Sequence, residues 1–102
     1  MITRLWRGWT SPAHAGAYER FLVGELFPSM RSIEGFHGAE VLRREDGRDV
    51  VFVVLTRFES MAAVKGFAGE DPDRAVIEPT ARQLLSRYDE RAEHFETVPF
   101  EG

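Results

Sequence analysis

Cysteine is absent from the chain, which removes disulfides, thiolate nucleophiles and thiolate metal sites together. No apolar run approaches the ~18–20 residues that a membrane-spanning helix needs, so a membrane is not an expected partner. The opening segment MITRLWRGWT has no apolar stretch like the core of a signal peptide, and a cytoplasmic location is expected. Positive charge is in deficit: the formal net charge is −4 and the isoelectric point is near 5.4. A polyphosphate partner calls for a basic face, so nucleic acid is not expected either. Asparagine is missing altogether, glutamine occurs once (Gln83) and lysine once (Lys65). What is present is ordinary for a folded protein, with 43% hydrophobic and 29% charged residues over 102 positions. That length fits one compact domain spanning 1–102.

Local patterns divide the chain into alternating elements. Ile2–Thr10 is rich in β-formers and aromatics and predicts a first strand. Ser11-Pro12 offers an N-cap followed by a proline suited to the first helical position. Ala15, Tyr18, Phe21, Leu22 and Leu26 then recur at helical spacing to about Phe27, where Pro28 ends or kinks the helix. A second strand is expected over Phe36–Arg44 and a third over Val50–Phe58, joined by a hairpin in which Gly47 can take a positive φ. Ser60 can cap a helix running to about Phe67, a further helix is expected from about Asp73 to Arg87, and Arg91–Val98 reads as the last strand. The order is β-α-β-β-α-β, the ferredoxin-like arrangement of a four-stranded antiparallel sheet in an α+β fold.

The segment VVFVVL, Val50–Leu55, is apolar on both faces, whereas a strand with one wet face alternates. The helices can cover one side of the sheet. A second copy of the chain, sheet against sheet about a two-fold axis, is the expected cover for the other.

The segments ITRLWRGWTSPAHAGAYERFL, IEGFHGAEVLRRE, VVLTRFESMAAVKGFAGEDPDRA and EHFETV, in that order and spacing, resemble the antibiotic biosynthesis monooxygenase (ABM-like) family of the dimeric α+β barrel superfamily. The resemblance implies a homodimer joined through its sheet faces. It also implies a cofactor-independent monooxygenase acting on a small aromatic or polyketide-like compound. The alternative it leaves open is a dimeric ligand-binding or stress-response module without catalysis. Haem degraders of this family use an asparagine on strand one, a tryptophan in a helix and an axial histidine. The matching positions here are Trp6, Phe67 and Ile77. Isoleucine has no lone pair for iron and indole cannot replace the amide, so haem degradation by that route is not expected. The quinone-forming oxygenases carry an asparagine one turn before a tryptophan, where this chain has Ala63 and Phe67.

Trp6 and Trp9 fall on opposite faces of strand one; the resemblance makes Trp6 a pocket wall, and the alternative is that both rings fill the core or the dimer interface. Tyr18, Phe21, Leu22 and Phe67 face the sheet and, with Ile77, are the candidate substrate-binding residues; the same stripe also describes plain core. His94 on the last strand titrates near neutrality and is the candidate base for a phenol or enol, with a hydrogen-bonded structural histidine as the alternative. Arg91, like Arg7, is a candidate for stabilising a developing anion, with an interface or surface ion pair, the usual place of an arginine on a strand, as the alternative. His94 and Glu96 share a strand face, but two ligands at that spacing do not make a metal site, and neither metal nor cofactor is expected.

Overall fold

Side-chain alternation along β1 (Ile2–Thr10) decides the architecture, because its even-numbered residues turn toward the helices and its odd-numbered residues turn away. The computed structural model describes residues 1–102. β1 lies between β3 (Asp49–Phe58) and a fourth lane, and β2 (Phe36–Asp46) pairs with the outer edge of β3. All pairings are antiparallel. The β2–β3 hairpin turns through Gly47 and Arg48, with Gly47 at φ 64°, the conformation that a side chain resists.

The fourth lane differs from the expected single strand. Two short strands, β4 (Leu85–Tyr88) and β5 (Glu93–Glu96), run in the same direction along the same edge of β1. Between them residues 89–92 leave the sheet opposite Trp6 and Arg7. The sheet thus has four lanes and five strands. The helix expected over Asp73–Arg87 shrinks to Pro79–Leu84, labelled α4 below. Pro79 supplies its first residue, so the proline begins this helix instead of interrupting one.

The first helical segment comprises α1 (Pro12–Phe21), a π-helical turn over Leu22–Leu26 and the short α2 (Phe27–Ser29), with a 3-10 turn to Ser32. Pro28 does not end it. Proline has no N–H and its ring displaces the carbonyl four residues back. The preceding turn widens, and the Phe27 N–H donates to the Leu22 carbonyl, five residues earlier. α3 (Met61–Ala68) begins at Ser60, whose hydroxyl accepts from the Ala63 N–H at 3.2 Å.

The helices cover one sheet face in two clusters. Tyr18, Phe21 and Leu22 pack on Val50, Phe52 and Val54, with the Tyr18 ring edge-on to Phe52 at 4.9 Å. Met30, Phe58, Val64 and Ala68 form the second cluster. The opposite face, carrying Leu5, Trp9, Leu42, Val53 and Leu55, has no helix over it. No helix is long and apolar enough to cross a membrane.

Candidate functional site

A cavity of about 40 Å³ lies where the two clusters meet, between β1 and β3 on one side and the π-helical turn and residues 76–81 on the other. Trp6, Tyr18, Phe21, Leu22, Phe67 and Ile77 all line it, so the structure brings together the six residues singled out as substrate-binding. Trp6 holds its wall position through an indole N–H donated to the Asp89 carbonyl at 2.7 Å. Its ring lies so close to Gly8 that a Cβ there would come within 2.7 Å of it, so the β1 backbone beside the ring must be bare. The residues that leave the sheet between β4 and β5 thereby fix the indole.

The polar groups of the cavity are Arg4, Thr56, Tyr18 and Glu78. Thr56, Arg4 and His94 stand side by side across β3, β1 and β5 on the helix-covered face. Arg4 is 4% exposed, and no carboxylate touches it. Its guanidinium donates to the carbonyls of Pro72 and Arg74, the latter at 2.7 Å, and to His94 Nε2 at 3.1 Å. Its carbon stands 5.5 Å from the Phe67 ring centroid, a cation–π contact. Burial pulls the Arg4 pKa down to about 10, against the favourable field of Asp73. Burial also raises the Tyr18 phenol above its ordinary value.

Neither His94, the candidate base, nor Arg91, the candidate anion stabiliser, lines the cavity. Arg4 has only donors, so Nε2 must accept; the proton then sits on Nδ1 and is donated to Asp73 Oδ1 at 3.0 Å. Both ring nitrogens are committed. Burial, and then the Arg4 charge, lower the His94 pKa below its ordinary value, opposed by the bond to Asp73. Arg91 lies on the surface, bidentate to Asp71 at 3.0 and 3.1 Å and 3.6 Å from Asp73. Its effect is to hold Asp71 below the usual carboxylate range. Backbone bonds from Ala75 to Glu90 (3.0 Å) and from Ala92 to Asp73 (2.7 Å) complete the tie between the loop before α4 and the residues between β4 and β5. Arg7 pairs loosely with Asp89 and Glu93 on the outward face.

Arg4 was not anticipated, because a lone arginine on a strand reads as a surface residue. The available signal was alternation: once Trp6 is assigned to the helix side, Arg4 shares its face.

Outside the cavity, an open basin of about 550 Å³ shares Phe67, Val76 and Ile77 with it. Val76 and Ile77 therefore form a wall common to the cavity and the basin.

No curated protein shows significant similarity to this sequence. Among solved structures, Rv0793 from Mycobacterium tuberculosis superposes with a TM-score of 0.62 at 16% identity, covering 99% of this chain and 98% of that one. The heme-degrader MhuD from the same organism, solved with two hemes in its active site, gives a TM-score of 0.61 at 21% identity over 100% of both chains. At these identities the likeness concerns the fold. A family model for antibiotic biosynthesis monooxygenases matches residues 1–79, which hold β1, the helical segment above the cavity, the β2–β3 hairpin and α3. The chain belongs to the antibiotic biosynthesis monooxygenase family.

Proposed function

We propose that the protein is a cofactor-independent monooxygenase that oxidises a small aromatic or polyketide-like compound in this cavity, working in the cytoplasm as a homodimer joined through the outward sheet faces. The observation that carries the reading is a predominantly apolar enclosure built around one buried guanidinium. Such a site strips water from an electron-rich ring and offers fixed positive charge where negative charge develops. In the reaction proposed, a ring CH₂ flanked by aromatic carbons loses a proton, and the resulting anion reduces dioxygen. One oxygen atom stays on that carbon as a carbonyl; the other leaves as water with the two hydrogens of the CH₂. The substrate carbon supplies all four electrons that reduce the dioxygen, so the balance requires no external reductant.

Trp6, Tyr18, Phe21, Leu22, Phe67 and Ile77 would grip the ring. His94 and Arg91 would act only indirectly, His94 by orienting Arg4 and Arg91 by holding Asp73. The cavity's 40 Å³ is far smaller than the roughly 300–1,000 Å³ typical of a ligand pocket, so a ring would enter by displacing the shared wall at Val76 and Ile77. Haem does not fit this site through a histidine: no imidazole lines the cavity, and Ile77 occupies the wall.

The test is dioxygen uptake with a tricyclic anthrone. The expected result is uptake well above the spontaneous rate, with one dioxygen consumed per quinone formed, falling at least tenfold in Trp6→Ala. Equal oxidation with and without the protein would contradict the enzyme reading. The commitment of both His94 nitrogens favours a second reading, a ligand-binding module without catalysis. It predicts tight binding of the same ring with no uptake.

A further inference from the structure

Burying a charged group without a direct ionic partner is unfavourable unless something else meets it. Arg4 is such a group. The acceptors on its guanidinium are two peptide carbonyls and one neutral imidazole. Asp73, whose negative field favours the Arg4 charge, is linked to it by hydrogen bonds only through His94. A guanidinium carries five N–H donors. Three are used by Pro72, Arg74 and His94, which leaves two without a protein acceptor on a residue that lines the cavity. Thr56 and Tyr18 add two hydroxyl-bearing side chains to the same wall. The whole arrangement is braced from behind, since Arg4, His94, Asp73, Arg91 and Asp71 form one continuous chain of hydrogen bonds and ion pairs from the cavity to the surface.

We propose that Arg4 is the anion-recognition residue of the cavity, and that the ligand is a flat apolar ring bearing an ionised oxygen, carboxylate or phenolate, which takes the two free N–H groups. This rests on the cavity being the ligand site in the oxygenase reading and adds a substrate class to it. The ring meets Trp6, Phe67 and the aliphatic wall; the ionised oxygen meets Arg4. Charge is thereby the feature that separates the true ligand from a neutral ring of the same shape. Nearby ionisable groups act in known directions. Tyr18, raised by burial, stays a neutral donor. Glu78, an exposed residue of the lining, opposes an anion, and His94 stays neutral against Arg4.

The experiment uses the intact protein and three probes: 2-naphthoate, the neutral isostere 2-naphthamide, and 2-naphthol. Calorimetry measures binding of the first two, and absorbance follows ionisation of bound naphthol with pH. The expected results are naphthoate at least tenfold tighter than naphthamide, and bound naphthol ionising at least one pH unit below the free compound. In Arg4→Gln both differences vanish while naphthamide still binds; Arg4→Lys, which keeps the charge if the glutamine variant fails to fold, retains a reduced preference for naphthoate. A naphthoate preference without a naphthol shift supports a carboxylate ligand; a shift supports a phenolate or enolate. Naphthamide binding as tightly as naphthoate, with naphthol unshifted, would overturn the assignment of Arg4 and leave the oxygenase reading standing. Failure of all three probes to bind would overturn both.

Discussion

The two faces of the sheet are built from the same strands and end in different conditions. On β3, Phe52, Val54 and Thr56 point to the helices and are all buried, Phe52 completely. Their neighbours Val53 and Leu55 point the other way and are only partly covered, and Leu42 beside them on β2 is 52% exposed. The outward face has some cover of its own. Trp9 donates to Asp46 at 2.9 Å and lies beneath Arg87, 3.9 Å from ring to guanidinium carbon. Yet Phe95 at its other end remains half exposed. One face is closed within the chain around a cavity and a buried cation; the other is an apolar surface that a second copy would dry. A strand that is apolar on both sides thus serves two different partners, a set of helices and, as proposed, another sheet.

The largest effect should come from emptying the closed face. Phe52→Ala is expected to cost about 3–5 kcal/mol, measured by urea denaturation, because the ring is fully buried against Tyr18. A loss below about 1 kcal/mol would mean that the closed face is not packed as described. Next comes the open face. Val53→Asp is expected to leave each protomer folded and to convert a dimer to a monomer at micromolar concentration by light scattering, because the charge would be buried between sheets. A wild-type protein that is already monomeric would remove the proposed role of that face. Arg87→Gln should lose about 0.5–1 kcal/mol, the worth of an exposed cation–π contact; no change in urea midpoint would show that Trp9 needs no cover.

The smallest effect concerns pH. Burial and Arg4 lower the His94 pKa in the folded state, so the unfolded chain takes up the proton more readily. The stability this contributes is present above the ordinary histidine value near 6.5 and is lost as the pH falls below it toward the folded pKa. His94→Gln, which can still accept from Arg4 and donate to Asp73, should flatten that decline. An equally steep decline in the variant would place its origin elsewhere.

The fold was legible wherever one physical signal dominated. β1, the hairpin at Gly47 and the capped start of α3 follow from alternation, a glycine and a serine. The fourth lane was not, because Leu85–Tyr88 is too short to show a period and the helix ahead of it is only Pro79–Leu84. The apolar half of the site was legible too, since the stripe through Tyr18, Phe21 and Leu22 must meet the sheet. The polar half depends on tertiary contacts. That His94 spends both nitrogens on Arg4 and Asp73 follows from the path of residues 71–76, which carries no local pattern. Pro28 illustrates the same limit, because whether a proline ends a helix or follows a widened turn depends on what the helix rests on.

The division of labour between the faces can be read directly by methyl and amide chemical-shift mapping during titration with 2-naphthol. The account predicts perturbations gathered at Trp6, Leu22, Val54 and Ile77, with Leu42, Val53 and Leu55 on the other side of the same sheet unmoved. Shifts concentrated on the outward-facing residues, or none at the four cavity positions at saturating ligand, would contradict it.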